Sequence, residues 1–439
     1  MAASISNKDA SVSDQRGTAN HRNDPSHLAS AGPGRPLGLA LALFVMLALS
    51  LGVSGAAVGQ TFSVLHGFRG QPEDGAAPLG GLLLDAAGNL YGTTLQGGKY
   101  SSCLPADVGC GVVFKLDTNG VETVLHNFSG SDGAGSSATL IMDANGDLYG
   151  TAAVGGGGGC NTGNSVGCGV VFKLSGHKET VLYRFTGGAD GAFPWAGLVM
   201  DASGNFYGTT NAGGGYGGGV VFKLAGKKET VLHAFTGGKD GAAPGGGTLI
   251  NANGSLYGTT VYGGDIHCDY PYSCGVVFKL TGRKEEVLHA FKDSPDGSFP
   301  AAGLFMDATG NLYGTTADGG DGSNGGIVFE VGQDGKEREL HTFRSAHGGS
   351  DPQTGVVLDA HGNLFGTTLY GGSGRGCCGT VFEITADGKE KVLHSFCTGD
   401  CSDGAYPLGD LIIDAKGNLY GTASGGGVNA NGTVFMITP

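Results

Sequence analysis

The chain has 439 residues, and 89 of them are glycine, roughly three times ordinary usage. Glycine costs about 1 kcal/mol per site inside a helix, which excludes a mainly helical protein. No Gly-X-Y period is present, so collagen is excluded, and 40% hydrophobic residues with a net charge of −14 describe neither a disordered chain nor a basic nucleic-acid binder.

Residues 1–36 are polar and carry Arg16, Arg22 and Arg35. From Leu37 to Val53 every residue is apolar, small or serine, and Ser54-Gly55-Ala56 follows. A basic leader, an apolar core and a small-residue exit over 37–59 predict a secretory signal peptide. The same stretch is also long enough to stay as an N-terminal membrane anchor. Either way the chain is expected to be exported, secreted or held at the cell envelope, and to touch membrane only through an uncleaved N-terminal segment. The chain ends at Ile437-Thr438-Pro439, without an apolar tail. The rest of the sequence carries a net charge of −15, which repels phosphate backbones and anionic lipid, so no nucleic-acid partner is expected.

After Gln60 the chain repeats itself. The clearest unit, Asp-Ala-Ala-Gly-Asn-Leu-Tyr-Gly-Thr-Thr from Asp85, recurs from Asp143, Asp201, Asn251, Asp307, Asp359 and Asp414. Each copy sits in a set of four short apolar runs. In the first copy these are run A (81–85), run B (89–94), run C (111–116) and run D (122–128). Short runs rich in β-branched and aromatic residues, bounded by Gly, Asn and Asp, are strands. The A–B link is a hairpin turn in which glycine supplies positive φ. Four antiparallel strands per repeat make a propeller blade. Run C occurs seven times, but the first run D (62–68) precedes every run A, and the chain stops just after the last run C. The N-terminal strand is therefore expected to complete the last blade. The predicted fold is all-β: one seven-bladed β-propeller over 61–439, closed at its chain ends.

The recurring residues read as scaffold. Gly92 and its six counterparts in run B mark a crowded position inside a strand. His66, His126, His233, His289, His341 and His394, with Tyr183 in the remaining copy, stand one per blade. That spacing predicts a hydrogen-bond network in each blade rather than one metal centre. Asp74, Asp132, Asp190, Asp240, Asp296, Asp351 and Asp403 follow the run D copies and are read as turn caps and histidine partners. Asp143-Ala-Asn-Gly-Asp147 resembles the start of a calcium loop but lacks its downstream Glu. No glycine run continues into Gly-Lys-Ser/Thr, so no phosphate cradle is read. No metal and no cofactor is expected.

All ten cysteines lie in the B–C and D–A connections, which share one face of the ring. An even count in an exported chain predicts disulfides. Cys103 is matched with Cys110, Cys160 with Cys168, and Cys268 with Cys274, while the pairing among Cys377, Cys378, Cys397 and Cys401 stays open. The same loops carry Phe193, Trp195, Tyr216, Tyr262, Tyr270, Phe299, Tyr370 and Tyr406, which the scaffold does not require. These are the candidate ligand-binding residues, because binding sites favour variable loops on a rigid frame.

The ordered set Gly-Leu-x-x-Asp-x-x-Gly-Asn-Leu-Tyr-Gly-Thr-Thr, Gly-Val-Val-Phe-Lys-Leu and Val-Leu-His-x-Phe resembles the GloVer tandem-repeat, or choice-of-anchor, family over about 61–439. The resemblance implies an exported bacterial propeller-like surface protein and no catalytic residues. Runs A and B also look like the first strands of NHL-type blades, which favours A as the inner strand. The expected function is a non-catalytic binding or scaffold propeller, monomeric, taking glycan or protein on the aromatic loop face. The alternative is a propeller lyase, lactonase or glycoside hydrolase at the central channel mouth, where run A offers only Asp410 as an extra carboxylate.

Overall fold

Run C becomes a deeply buried strand in every repeat. Val112, Val113 and Phe114 have no exposed surface. Their strand, Val112–Leu116, lies between Leu90–Thr93 and Glu122–Asn127, with Leu83–Leu84 beyond as the inner strand. A computed structural model describes residues 60–439 apart from 105–106, 163–164, 265–273, 323, 345–347 and 374–377. The leader, the signal or anchor segment, Tyr270, Cys268 and Cys377 lie outside the described residues.

The same four-stranded antiparallel order recurs in seven sheets, giving a seven-bladed propeller. Blade 1 spans 83–127, and blades 2 to 6 span 141–184, 199–234, 249–290, 305–342 and 357–395. Blade 7 contains Ile412–Ile413, Leu419–Ala423 and Thr433–Thr438. Thr61–Gly67, from the other end of the chain, is its outer strand, with Thr61 opposite Thr438 and Gly67 opposite Thr433.

The repeat motifs have distinct mechanical roles. In Val-Leu-His the leucine is the extra residue of a bulge: Phe114 faces Val124 and Val113 faces His126, leaving Leu125 unpaired. A bulge increases the local twist of the outer strand. The run B glycine clears room for the run C phenylalanine. A Cβ on Gly92 would lie 2.6 Å from Phe114 Cζ, and Gly366 and Gly421 are tighter at 2.5 Å.

Two further contacts join neighbouring blades. The phenylalanine after each outer strand meets the run C phenylalanine of the next blade edge to face, as in Phe128–Phe172 at 5.2 Å. Phe396–Phe435 (5.3 Å) and Phe68–Phe114 (5.1 Å) carry this contact through the closure. The first run B threonine donates to a carbonyl of the following blade: Thr93 to Ala138 (3.1 Å), Thr151 to Ala196 (2.9 Å), and Thr422 to Gly80 (3.1 Å) across the closure. Thr209 is the exception, with a buried hydroxyl that has no hydrogen-bond partner.

The Asp-x-x-Gly-Asn-x-Tyr motif is a hairpin clamp. Asp85 Oδ1 accepts the backbone N–H groups of Ala87 and Asn89, while Oδ2 accepts Asn89 Nδ2 and the Tyr91 hydroxyl. Asp143 does the same with Asn145, Asp147 and Tyr149. The segment that resembled a calcium loop is one of these hairpins, and Asp147 pairs with Lys173 at 2.5 Å.

Candidate functional site: an aromatic groove on the loop face

Each D–A connection carries one residue in the left-handed region just before the chain descends into the next inner strand. These are Ala77 (φ 52°), Phe193 (61°), Ala243 (52°), Phe299 (59°), Asp351 (58°) and Tyr406 (57°), with Gly135 (63°) in the remaining copy. The non-glycine residues all precede proline. Such backbone is costly for a side-chain-bearing residue and persists only when its surroundings fix it. Here they do. Phe299 N–H donates to Cys274 O (2.9 Å) on the preceding blade, and Phe299 O accepts Ala317 N–H (3.1 Å) on the following one. Asp351 is held likewise by Gly325 and Leu369, and Tyr406 by Cys378 and Ser424. The backbone of this ring is pinned, and its side chains are free to differ.

Between blades 4 and 6 these positions form a groove of about 580 Å³. Tyr262 and Phe299 make one wall, with ring centroids 6.0 Å apart and edge to face. Tyr370 makes the other wall and packs on Tyr406 at 6.2 Å. Asp318, Asn324, Asp351 and Gln353 also line the groove. Gln353 Nε2 donates to both oxygens of Asp351 at 3.1 Å, and Asp318 Oδ1 accepts Gly319 N–H at 2.8 Å. Burial pushes the Asp351 carboxyl up, Gln353 pulls it back, and the nearby Asp318 charge pushes it up again.

The structure therefore brings together Tyr262, Phe299, Tyr370 and Tyr406 and leaves other candidates apart. Trp195 (40% exposed) and Tyr216 (71%) belong to blade 3 and its approach. Phe193 packs into the core clusters beneath its own loop. Asp351 corrects the sequence reading: it does not partner His341. Gly348 occupies that register, and Asp351 stands three residues on, in the pinned ring. The only sequence signal was the misplaced spacing itself.

The loops are stapled as expected at Cys103–Cys110 and Cys160–Cys168, and Cys274 is also disulfide-bonded. Cys397 pairs with Cys401, which resolves part of the open set. Such bonds belong to an oxidising compartment and fit an exported protein. The tunnel is a separate space of about 310 Å³, lined by Gly81, Gly197, Gly247, Gly303 and Gly355 among others. Asp410 is the one carboxylate among its described lining residues. It accepts Gly355 N–H at 2.7 Å, and burial pushes it up.

The Gloeobacter/Verrucomicrobia repeat model matches residues 54–269 and 266–439. The chain belongs to that repeat family. No curated protein matches the chain. Among solved structures, the extracellular domain of a one-component system from B. thetaiotaomicron is 11% identical, with a TM-score of 0.47 over 84% of this chain. The chain spans 39% of that protein. A gluconolactonase from Xanthomonas campestris is 14% identical, with a TM-score of 0.40 over 86% of this chain and 89% of its own. These likenesses are too distant to carry an activity.

Within the family repeat, the recurring histidines other than His341 meet the Asp-Gly loops. His66 meets Asp74 at 3.3 Å, His126 meets Asp132 at 3.1 Å, and His394 meets Asp403 at 2.9 Å. In the variant copy the Tyr183 hydroxyl donates to Asp190 at 3.0 Å. Every such pair except His394/Asp403 also faces a glutamate from the next blade's outer strand. His66/Asp74/Glu122 and His289/Asp296/Glu337 have their ligand-type atoms within 4.8 Å of one another. The sequence reading did not single out these glutamates, although one stands four residues before the His or Tyr in six outer strands, from Glu122 to Glu390.

Proposed function

We propose that this chain is an exported binding propeller that holds a glycan in the groove between blades 4 and 6. The supporting observation is that Tyr262, Phe299 and Tyr370, the last packed on Tyr406, line one groove with Asp318, Asn324, Asp351 and Gln353. Sugar rings stack their C–H faces on aromatics, and carboxylate and amide groups bond their hydroxyls. The two carboxylates disfavour uronic and other acidic sugars, so neutral or amine-bearing sugars are the expected class.

A glycan array followed by calorimetric titration tests this reading. The double variant Tyr370→Ala, Tyr406→Ala should lose about tenfold in affinity, while Trp195→Ala should leave it unchanged. Unchanged binding in the double variant sinks the groove. The runner-up, a propeller hydrolase, draws on the Asp318/Asp351 pair, because two carboxyl groups in one groove are what acid–base hydrolysis of a glycoside uses. Turnover on a polysaccharide or lactone panel that is lost in Asp351→Asn would establish it instead.

A further inference from the structure

The seams between blades carry a chemistry that neither the fold nor the groove explains. At five seams an aspartate in the loop after one outer strand faces a glutamate on the next. The pairs are Asp74/Glu122, Asp132/Glu179, Asp190/Glu229, Asp240/Glu285 and Asp296/Glu337. All five glutamates have a buried Oε1 without a hydrogen-bond partner among the described residues. Two carboxylates in buried contact cannot both be ionised at modest cost.

The hydrogen-bond donors gather on the aspartates. Asp74 accepts the N–H groups of Arg69 and Gly75 (2.8 and 2.6 Å) and faces His66 Nε2. Asp132 accepts Ser129 N–H at 2.8 Å, Asp190 accepts Thr186 N–H at 2.8 Å, and Asp240 accepts Thr236 N–H at 2.9 Å. At Asp74 and Asp132 burial acts to raise the carboxyl, but these bonds outweigh it and hold the group below its usual value. The Tyr183 copy shows that a neutral donor suffices at the histidine position, since a phenol serves there. The surplus proton therefore belongs on the glutamate.

The other two seams lack one partner, and each is rebuilt. Where Gly348 replaces the aspartate, Glu390 turns directly to His341 at 3.4 Å. At the closure Phe62 replaces the glutamate and stacks flat on His394, centroid to centroid 3.7 Å.

We propose that these five His(Tyr)–Asp–Glu clusters are inter-blade clasps in which a protonated glutamate donates to the aspartate of the preceding blade, making the rigidity of the ring dependent on pH. Burial, and then the facing aspartate, hold Glu122 up at about 8 and Glu179, Glu229, Glu285 and Glu337 up at about 7. Further charges face these glutamates: Arg69 at Glu122, Arg184 and His126 at Glu179, Glu286 at Glu285, and Glu339 and His289 at Glu337. The basic groups ease ionisation and the acidic ones oppose it. A carboxyl raised in the folded state contributes stability that is full below its unfolded value, near 4.5, and is lost as pH rises through 7 to 8. The ring should thus be firmest in mildly acidic surroundings and loosen in alkaline ones. An exported protein meets such a range.

Urea unfolding of the 60–439 chain between pH 5 and pH 8.5 tests this. The wild-type midpoint should fall across the range. In Glu285→Gln with Glu337→Gln, whose amides donate at every pH, the fall should be visibly smaller. Infrared spectra of the folded wild type at pH 6 should show a carboxylic C=O band that disappears by pH 9 and is weaker in the double variant. This readout does not require that variant to match the wild type in stability. A flat or rising wild-type midpoint, an equal fall in the double variant, or no protonated-carboxyl band would overturn the proposal. So would a midpoint at pH 7.5 that zinc raises and a chelator lowers in the wild type only, which would make the clusters metal sites.

Discussion

At the scale of single residues, the repeat supplies its own controls. Thr422 and Thr209 hold the same register, but Thr422 donates across the closure to Gly80 O while Thr209 finds no acceptor. Removing a partner from a buried carbonyl costs about 1–3 kcal/mol, whereas replacing an unsatisfied hydroxyl by a methyl is near neutral or stabilising. Thr422→Val should therefore lower stability by that amount, and Thr209→Val should not, as denaturant midpoints with equal slopes will show. Asp351 teaches a related lesson. It follows run D as the histidine partners do, but the pinned backbone, set by bonds to Gly325 and Leu369, puts it in the groove.

At the scale of elements, the A–B hairpin depends on one carboxylate. Burial acts to raise Asp201, but bonds from Asn205, Tyr207 and Ser203 outweigh it and hold the group down at about 2. A carboxylate lowered in the folded state contributes stability above its unfolded value near 3.8, and loses it as pH falls toward 2. Asp201→Asn should accordingly flatten the acid limb of the stability curve between about pH 4 and 2, measurable as urea midpoints over that range. If the acid limb is unchanged, the clamp is not set by this charge. The hairpins were legible because each is contiguous, with all partners within six residues. The clasps were not: Glu122 reads as one more polar residue on an outer strand, and its partner Asp74 is 48 positions away in another blade.

At the scale of the molecule, closure rests on seven residues from one chain end. Thr61–Gly67 covers the edge of Thr433–Thr438, and Phe62 fills a seam with its ring between His394 and Phe435. Phe62→Ala should cost about 2 kcal/mol, less than a fully buried phenylalanine would. Deleting 60–67 should expose an unpaired edge and promote association, which light scattering would report. A deletion variant that stays monomeric with wild-type cooperativity would show that closure lies elsewhere.

The sequence by itself determined the strand type, the count of seven blades and the displaced first strand, because these follow from local periodicity and from counting. It also marked the loop face, since non-repeating aromatics stand out against a repeating background. Tertiary structure decided which of those aromatics meet. Tyr262 and Phe299 come from different connections, as do Tyr370 and Tyr406, and only the ring geometry sets them beside Asp318 and Asp351. It likewise decided that glutamates on one blade face aspartates on another. Contacts between blades depend on how a twisted sheet packs on its neighbour, and that information is spread over the whole ring rather than written in any one repeat.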